Sequence, residues 1–100
     1  MATETTRQLY KIAKEVSRYL RLDENLFFCA GHTAVRINEG RKYFCYIARK
    51  FEIPVVFIRK FLHYANPRTV KLHAESIRTA LVKRNVQITI DIETIIKKCQ

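Results

Sequence analysis

Arg68, Thr69, Lys71 and Leu72 stand together near the start of the segment "HYANPRTVKLHAESIRTALVKR", and their side chains suit recognition rather than bond-making. The guanidinium of Arg68 is a planar fork that can donate two hydrogen bonds to guanine O6 and N7. Thr69 can touch a thymine methyl or donate to a base or a phosphate. Lys71 is a point charge suited to phosphate, and Leu72 offers an apolar contact. A second group of cations comes as adjacent pairs, Arg41-Lys42, Arg49-Lys50 and Arg59-Lys60, with Arg78 further on and Arg36 before them. Adjacent residues on a helix point about 100° apart, so one member of each pair can face outward toward a phosphate. Ordinary solvated helix surface is the competing assignment for each of these cations. Thr69 can equally do no more than support a cap, and Leu72 becomes a core residue if its helix is rotated slightly.

The element that must position the first group reads clearly. Asn66 is a good N-cap, because its side-chain oxygen can accept from a backbone N–H two or three residues on. Pro67 follows at the first helical position, where a missing N–H costs nothing. Val70, Ala74, Ile77 and Leu81 then recur at the spacing of a helix packed on a core, leaving Arg68, Thr69, Lys71, Leu72, Glu75 and Arg78 outward. Pro54 opens a preceding helix, "PVVFIRKFLHY", with Val55, Ile58, Phe61 and Leu62 available to pack. A short turn, His63 to Ala65, joins the two, which gives a helix-turn-helix over about 54–84.

Around this pair the chain supplies a scaffold. "TRQLYKIAKEVSRYLRL" is an amphipathic helix with Leu9, Ile12, Ala13, Val16, Tyr19 and Leu20 on one side. Asp23 caps a short helical turn, "ENLFF", whose Leu26, Phe27 and Phe28 are expected in the core. "CAGHTAVRINEG" breaks the periodicity and reads as a loop carrying Arg36. A long helix is expected from Asn38, as its cap, to Phe51, with Tyr43, Phe44, Ile47, Ala48 and Phe51 inward. "NVQITID" alternates apolar and polar residues and is taken as a linker, since a lone strand has no partner; Asp91 then caps a last short helix with Ile92, Ile95 and Ile96 inward. Only two glycines and two prolines interrupt these patterns. The expectation is one all-α domain over 1–100, compact, with about five to six helices including the helix-turn-helix.

Charge narrows the partners. Nineteen Lys and Arg against nine Asp and Glu leave a net +10, and eleven cations with two acids, Glu52 and Glu75, fall between Arg41 and Arg84. A balance of this size points to a polyanion, either nucleic acid or an anionic membrane surface. No Gly-rich phosphate loop, G-x-S-x-G, H-E-x-x-H or paired carboxylates on one helical side occur, so no enzyme class is indicated. Cys29, Cys45 and Cys99 form no C-x-x-C pair; Cys29 and His32 make a single C-x-x-H, and a structural metal needs four ligands. Buried thiols in a reducing, cytoplasmic setting are expected, with no cofactor and no metal. No apolar window reaches the length of a membrane span, and the N-terminus has no apolar signal core.

"GRKYFCYIARKF", then "FIRKFLHYANPRTV" and "ESIR", resemble the C-terminal DNA-binding domain of the bacterial replication initiator DnaA. Arg41, Ile47, Arg49, Ile58, Phe61, Thr69, Val70 and Ile77 follow that family's pattern in order. Ile12 and Val16 in the first helix, the Leu26 turn and the terminal helix from Asp91 fit as well, so the resemblance spans nearly the whole chain. It implies a recognition helix in the major groove, with Arg68 and Thr69 as base readers, and a loop reaching the minor groove with Arg36 as its arginine. Asn66-Pro67 stands where the family has Asp-His, Arg68 where a small hydroxyl residue is usual, and no ATPase domain is attached. The resemblance therefore implies a free-standing relative that reads a different site.

Together these readings give double-stranded DNA binding with sequence preference, in replication or its regulation. Arg68, Thr69, Lys71 and Leu72 are its groove residues, and Arg36, Arg41, Lys42, Arg59, Lys60 and Arg78 its phosphate or minor-groove contacts. The second reading is a protein-interaction module that uses Leu72, Tyr64 or Phe57 on the same fold. No membrane partner is expected, and no coiled-coil seam enforces a dimer, so a monomer is the default.

Overall fold

Five helices account for most of the residues described by the computed structural model, which are 4–23 and 35–100. They are α1 (Glu4–Leu20), α2 (Val35–Lys50), α3 (Val55–Phe61), α4 (Pro67–Val82) and α5 (Val86–Cys99). No strand occurs among the described residues. The expected "ENLFF" turn and the first half of the "CAGHTAVRINEG" loop, 29–34, lie outside them, and the second half, 35–40, is helical and opens α2. The fold is the compact all-helical domain that the periodicity predicts, with a radius of gyration of 12.4 Å against the ~13 Å typical of a compact hundred-residue chain.

The central element is α2, which packs against all four other helices. Its Phe44, Cys45, Ile47 and Ala48 are fully buried, and they meet Ile12 and Val16 of α1, Ile58 of α3, Val70 of α4 and Ile95 of α5 in one core. Each such aliphatic or aromatic side chain contributes about 1.5–3 kcal/mol on burial. Phe44 of α2 stacks on Phe61 of α3 with ring centroids 5.4 Å apart, and Tyr10 of α1 meets the same Phe61 edge-on at 4.9 Å. One aromatic ring of α3 is thereby held from two sides.

Two boundaries differ from the sequence expectation. The long helix begins at Val35, so Asn38 lies half-buried within α2 and is not its cap. The second difference is larger. The "NVQITID" stretch is not a linker: Asn85 caps a continuous α5, its Oδ1 accepting from Ile88 N–H at 3.1 Å. The apparent alternation hid a helical spacing, Ile88, Ile92 and Ile95, all of which turn toward the core.

Asp91 is consequently not a cap but a buried residue in the middle of α5. Its carboxylate accepts from the Tyr19 hydroxyl of α1 at 2.6 Å, the Tyr43 hydroxyl of α2 at 2.8 Å and Gln87 Nε2 at 2.8 Å. A buried carboxylate is tolerated only when donors replace its lost water, and here three do. The bond to Asp91 holds the Tyr19 hydroxyl above the ordinary phenol range, and burial followed by Asp91 does the same for Tyr43.

The first four helices end alike. Arg21, Glu52, His63 and Arg84 each adopt positive φ, between 56° and 64°. In each case the next residue donates its N–H back to a carbonyl five residues earlier: Leu22 to Ser17, Ile53 to Ala48, Tyr64 to Arg59 and Asn85 to Ala80. This is the Schellman termination, normally built on glycine. With only two glycines in the chain, non-glycine residues absorb the left-handed conformation, at about 1–2 kcal/mol each.

Two outcomes follow from this architecture. Asp91→Ala strands two tyrosine hydroxyls and lowers stability by about 2–4 kcal/mol, read as a shift of the urea midpoint with m unchanged. Glu52→Gly relieves the left-handed cost and, after the added freedom of the unfolded glycine, raises stability by about 0.5–1 kcal/mol in the same titration.

Candidate functional site

The turn between α3 and α4 sets the direction of α4. Residues 62–66 connect them, with Leu62 fully buried and His63 in the left-handed position. The Asn66 side chain then accepts from Arg68 N–H at 2.9 Å, and Pro67 occupies the first helical turn, as the sequence predicts. Arg59 steadies the turn from behind, its Nη1 donating to Tyr64 C=O at 3.0 Å.

With Val70 and Ile77 buried, α4 turns its other residues outward. Arg68, Lys71 and Arg78 are exposed, Leu72 is 59% exposed, and Thr69 is half-buried with its N–H donating to Asn66 C=O. Leu72 is therefore a surface residue and not a core one. Arg78 pairs with Glu75 one turn earlier, Nη1 to carboxylate 3.4 Å.

The remaining predicted cations do not gather around α4. Arg41 is only 3% exposed, its Cζ 5.9 Å from the centroid of the Tyr64 ring. This corrects its assignment as a surface phosphate contact: the residue sits on the buried side of α2, where its stem and guanidinium are interior. Arg36 is exposed, but it stands in the first turn of α2, and its Nη2 donates to Leu20 C=O at the end of α1. It thereby serves a carbonyl that a helix terminus leaves without an intrahelical partner. Lys42 is half-buried. Lys60 is exposed and borders a small depression with Thr5, Leu9 and Phe57, toward α1.

What the fold does bring together is a cleft of about 510 Å³ between the C-terminal end of α2 and one side of α4. Arg49 and Lys50 face Lys71, Glu75 and Arg78 across it, with Tyr46, Val55 and Ala74 completing the walls. Arg49 Nη1 donates to Ile53 C=O at 2.9 Å, which fixes the base of that side chain's fork. The sequence had shown Arg49-Lys50 as one basic pair among three. Its special place comes from the packing of α2 on α4, which sets the C-terminal end of α2 beside that helix.

Beneath this surface, Tyr64 and His73 bond at 3.1 Å between the hydroxyl and Nε2. Burial, followed by the charges of Lys42 and Arg41, pushes the His73 imidazole below its ordinary value. Burial likewise raises the Tyr64 phenol. Cys45 and Cys99 are buried free thiols, and burial raises both. Among the described residues no group of His, Cys, Asp and Glu could hold a metal ion, and no helix is long and apolar enough to cross a membrane.

Fold and surface together define an all-helical domain whose two consecutive helices, α3 and α4, present a basic, partly apolar helix side to the outside. Compared with known proteins, the chain matches no family model, no curated protein and no solved structure.

Because burial holds the folded His73 imidazole below the value of about 6.5 that it has when unfolded, its contribution to stability is present above that pH. It is lost as pH falls through 6.5 toward the depressed folded value. A melting series from about pH 7.5 to 5.5 is expected to show this decline, and His73→Gln should flatten it.

Proposed function

We propose that the chain binds double-stranded DNA by laying the N-terminal turns of α4 in the major groove. It would act as a divergent relative of the DnaA C-terminal domain, in replication or its regulation. The observation that carries this reading is the outward side of α4: Arg68, Lys71 and Leu72 are exposed over two turns of a helix whose opposite side is core. Residues in those turns are the ones that reach base edges when such a helix enters the groove. The concentration of charge between Arg41 and Arg84 supports a polyanion, and the preceding short helix supports the helix-turn-helix docking mode. A monomer acting in the cytoplasm goes with this reading. Catalysis has no part in it.

Within it, Arg68 is the base reader, Thr69 and Leu72 give groove contacts, and Lys71 and Arg78 meet phosphates. Leu72 and Phe57, at 59% and 47% exposure, are the features that favour a protein-interaction module instead. Selection of bound duplexes from a random pool at near-physiological salt separates the two readings. The expected outcome is an enriched motif. Arg68→Ala then loses one base preference at a cost of about 1–3 kcal/mol in binding the enriched duplex. Binding without enrichment, or no binding, contradicts the sequence-reading role.

A further inference from the structure

The cleft between α2 and α4 holds four cations and a single carboxylate, and that carboxylate is already engaged with one of the cations. Arg49 and Lys50 close one helix, Lys71 and Arg78 lie along another, and the opening faces outward beside the exposed turns of α4. Glu75 is exposed within it, and in the unliganded protein it holds Arg78 at 3.4 Å.

We propose that this cleft seats the phosphodiester backbone flanking the recognition helix, and that Glu75 is a built-in competitor for it, occupying Arg78 until a phosphate takes its place. The inference rests on the DNA-binding reading and deepens it by adding Lys50 and Arg49 to the contact surface and by giving Glu75 a role opposite in sign. Charge complementarity selects the ligand. A phosphodiester strand carries regularly spaced single negative charges, and the two cationic walls are contributed by different helices, so one strand can be met from both sides.

The pairing of Glu75 with Arg78 is an exposed i, i+3 ion pair, weak enough to be exchanged for a phosphate. Its cost to binding has two parts. Arg78 must leave its partner, and the carboxylate stays near the incoming phosphate as a like charge. Both vanish when Glu75 is made neutral, so removing a single negative charge here should do more than remove one elsewhere.

The test is fluorescence anisotropy of the whole chain with a labelled mixed-sequence duplex, titrated over a range of salt. Wild type is compared with Glu75→Gln, with the double variant Lys50→Ala/Lys71→Ala, and with Glu93→Gln, which makes the same charge change on an exposed position of α5. Glu75→Gln is expected to tighten binding about fivefold near 0.1 M salt, the scale of one exposed ion pair, and to steepen the log K against log salt slope by up to about 0.9. The double variant should weaken binding and make the slope shallower by about one to two. Glu93→Gln should leave both nearly unchanged. Helical circular dichroism of each variant confirms that the fold is retained. Equal effects of Glu75→Gln and Glu93→Gln overturn the cleft while leaving α4 as the DNA reader, whereas an unchanged slope in a folded double variant that still binds overturns the cleft together with the phosphate role of Lys71. Failure of the wild type to bind duplex at any salt overturns both.

Discussion

The Asp91 carboxylate is the constraint on which the rest of the structure depends. It sits inside the domain with three donors around it, from the hydroxyls of Tyr19 and Tyr43 and from Gln87. A carboxyl group in that position is compatible with folding only if the two tyrosines arrive with it, Gln87 being carried on the same helix. That requirement fixes how α5 is rotated, because a one-residue shift would turn the carboxylate by about 100° and leave the Tyr19 and Tyr43 donors behind. Once α5 is fixed against α1 and α2, Ile92, Ile95 and Cys99 must point inward. With α2 held, the platform for α4 is held as well, since α2 is its main packing partner.

The arginines divide by what they touch. Arg41 spends its length in the interior next to Tyr64, Arg36 serves the end of α1, and Arg59 braces the turn into α4. Arg49 does both kinds of work, since it bonds Ile53 C=O and still lines the cleft. Arg68 and Arg78 remain at the surface. A guanidinium suits this division because its five donors can satisfy a carbonyl and leave others directed elsewhere. A net charge of +10 therefore overstates the charge offered to a ligand, and its location matters more than its sum.

The helix ends show the same economy. Short connections require the chain to reverse within a few residues, and the left-handed residue after each of α1 to α4 accomplishes it. Using Glu52 or His63 where glycine is easiest costs conformational energy, which the buried residues just beyond help to offset: Ile53 is 3% exposed and Tyr64 packs against the core. The tight connection at 51–54 also has a consequence for the surface, because it places Val55 at the start of α3 next to Arg49 and Lys50 in the wall of the cleft.

By itself the sequence determined the all-helical class, the interiors of α1, α2 and α4, and the start of α4 at Asn66-Pro67. Those features are local: a cap bonds within three residues, and an apolar stripe needs only its own spacing. The outward side of α4 was legible for the same reason, as the complement of Val70, Ala74, Ile77 and Leu81. Tertiary structure alone decided the rest. The Asp91 position looks like a cap in isolation, because no local signal announces donors 48 and 72 residues away. The continuity of α5 was hidden because a short alternating run suits a strand pattern until its isoleucines find a core. Arg41 and Arg49 are both cations on one amphipathic helix, and only the packing of α2 between its neighbours buries the first and leaves the second beside α4. A residue's neighbours along the chain fix its helix, but water is removed by elements far away in sequence, and it is that removal which separates an interior arginine from one left at the surface.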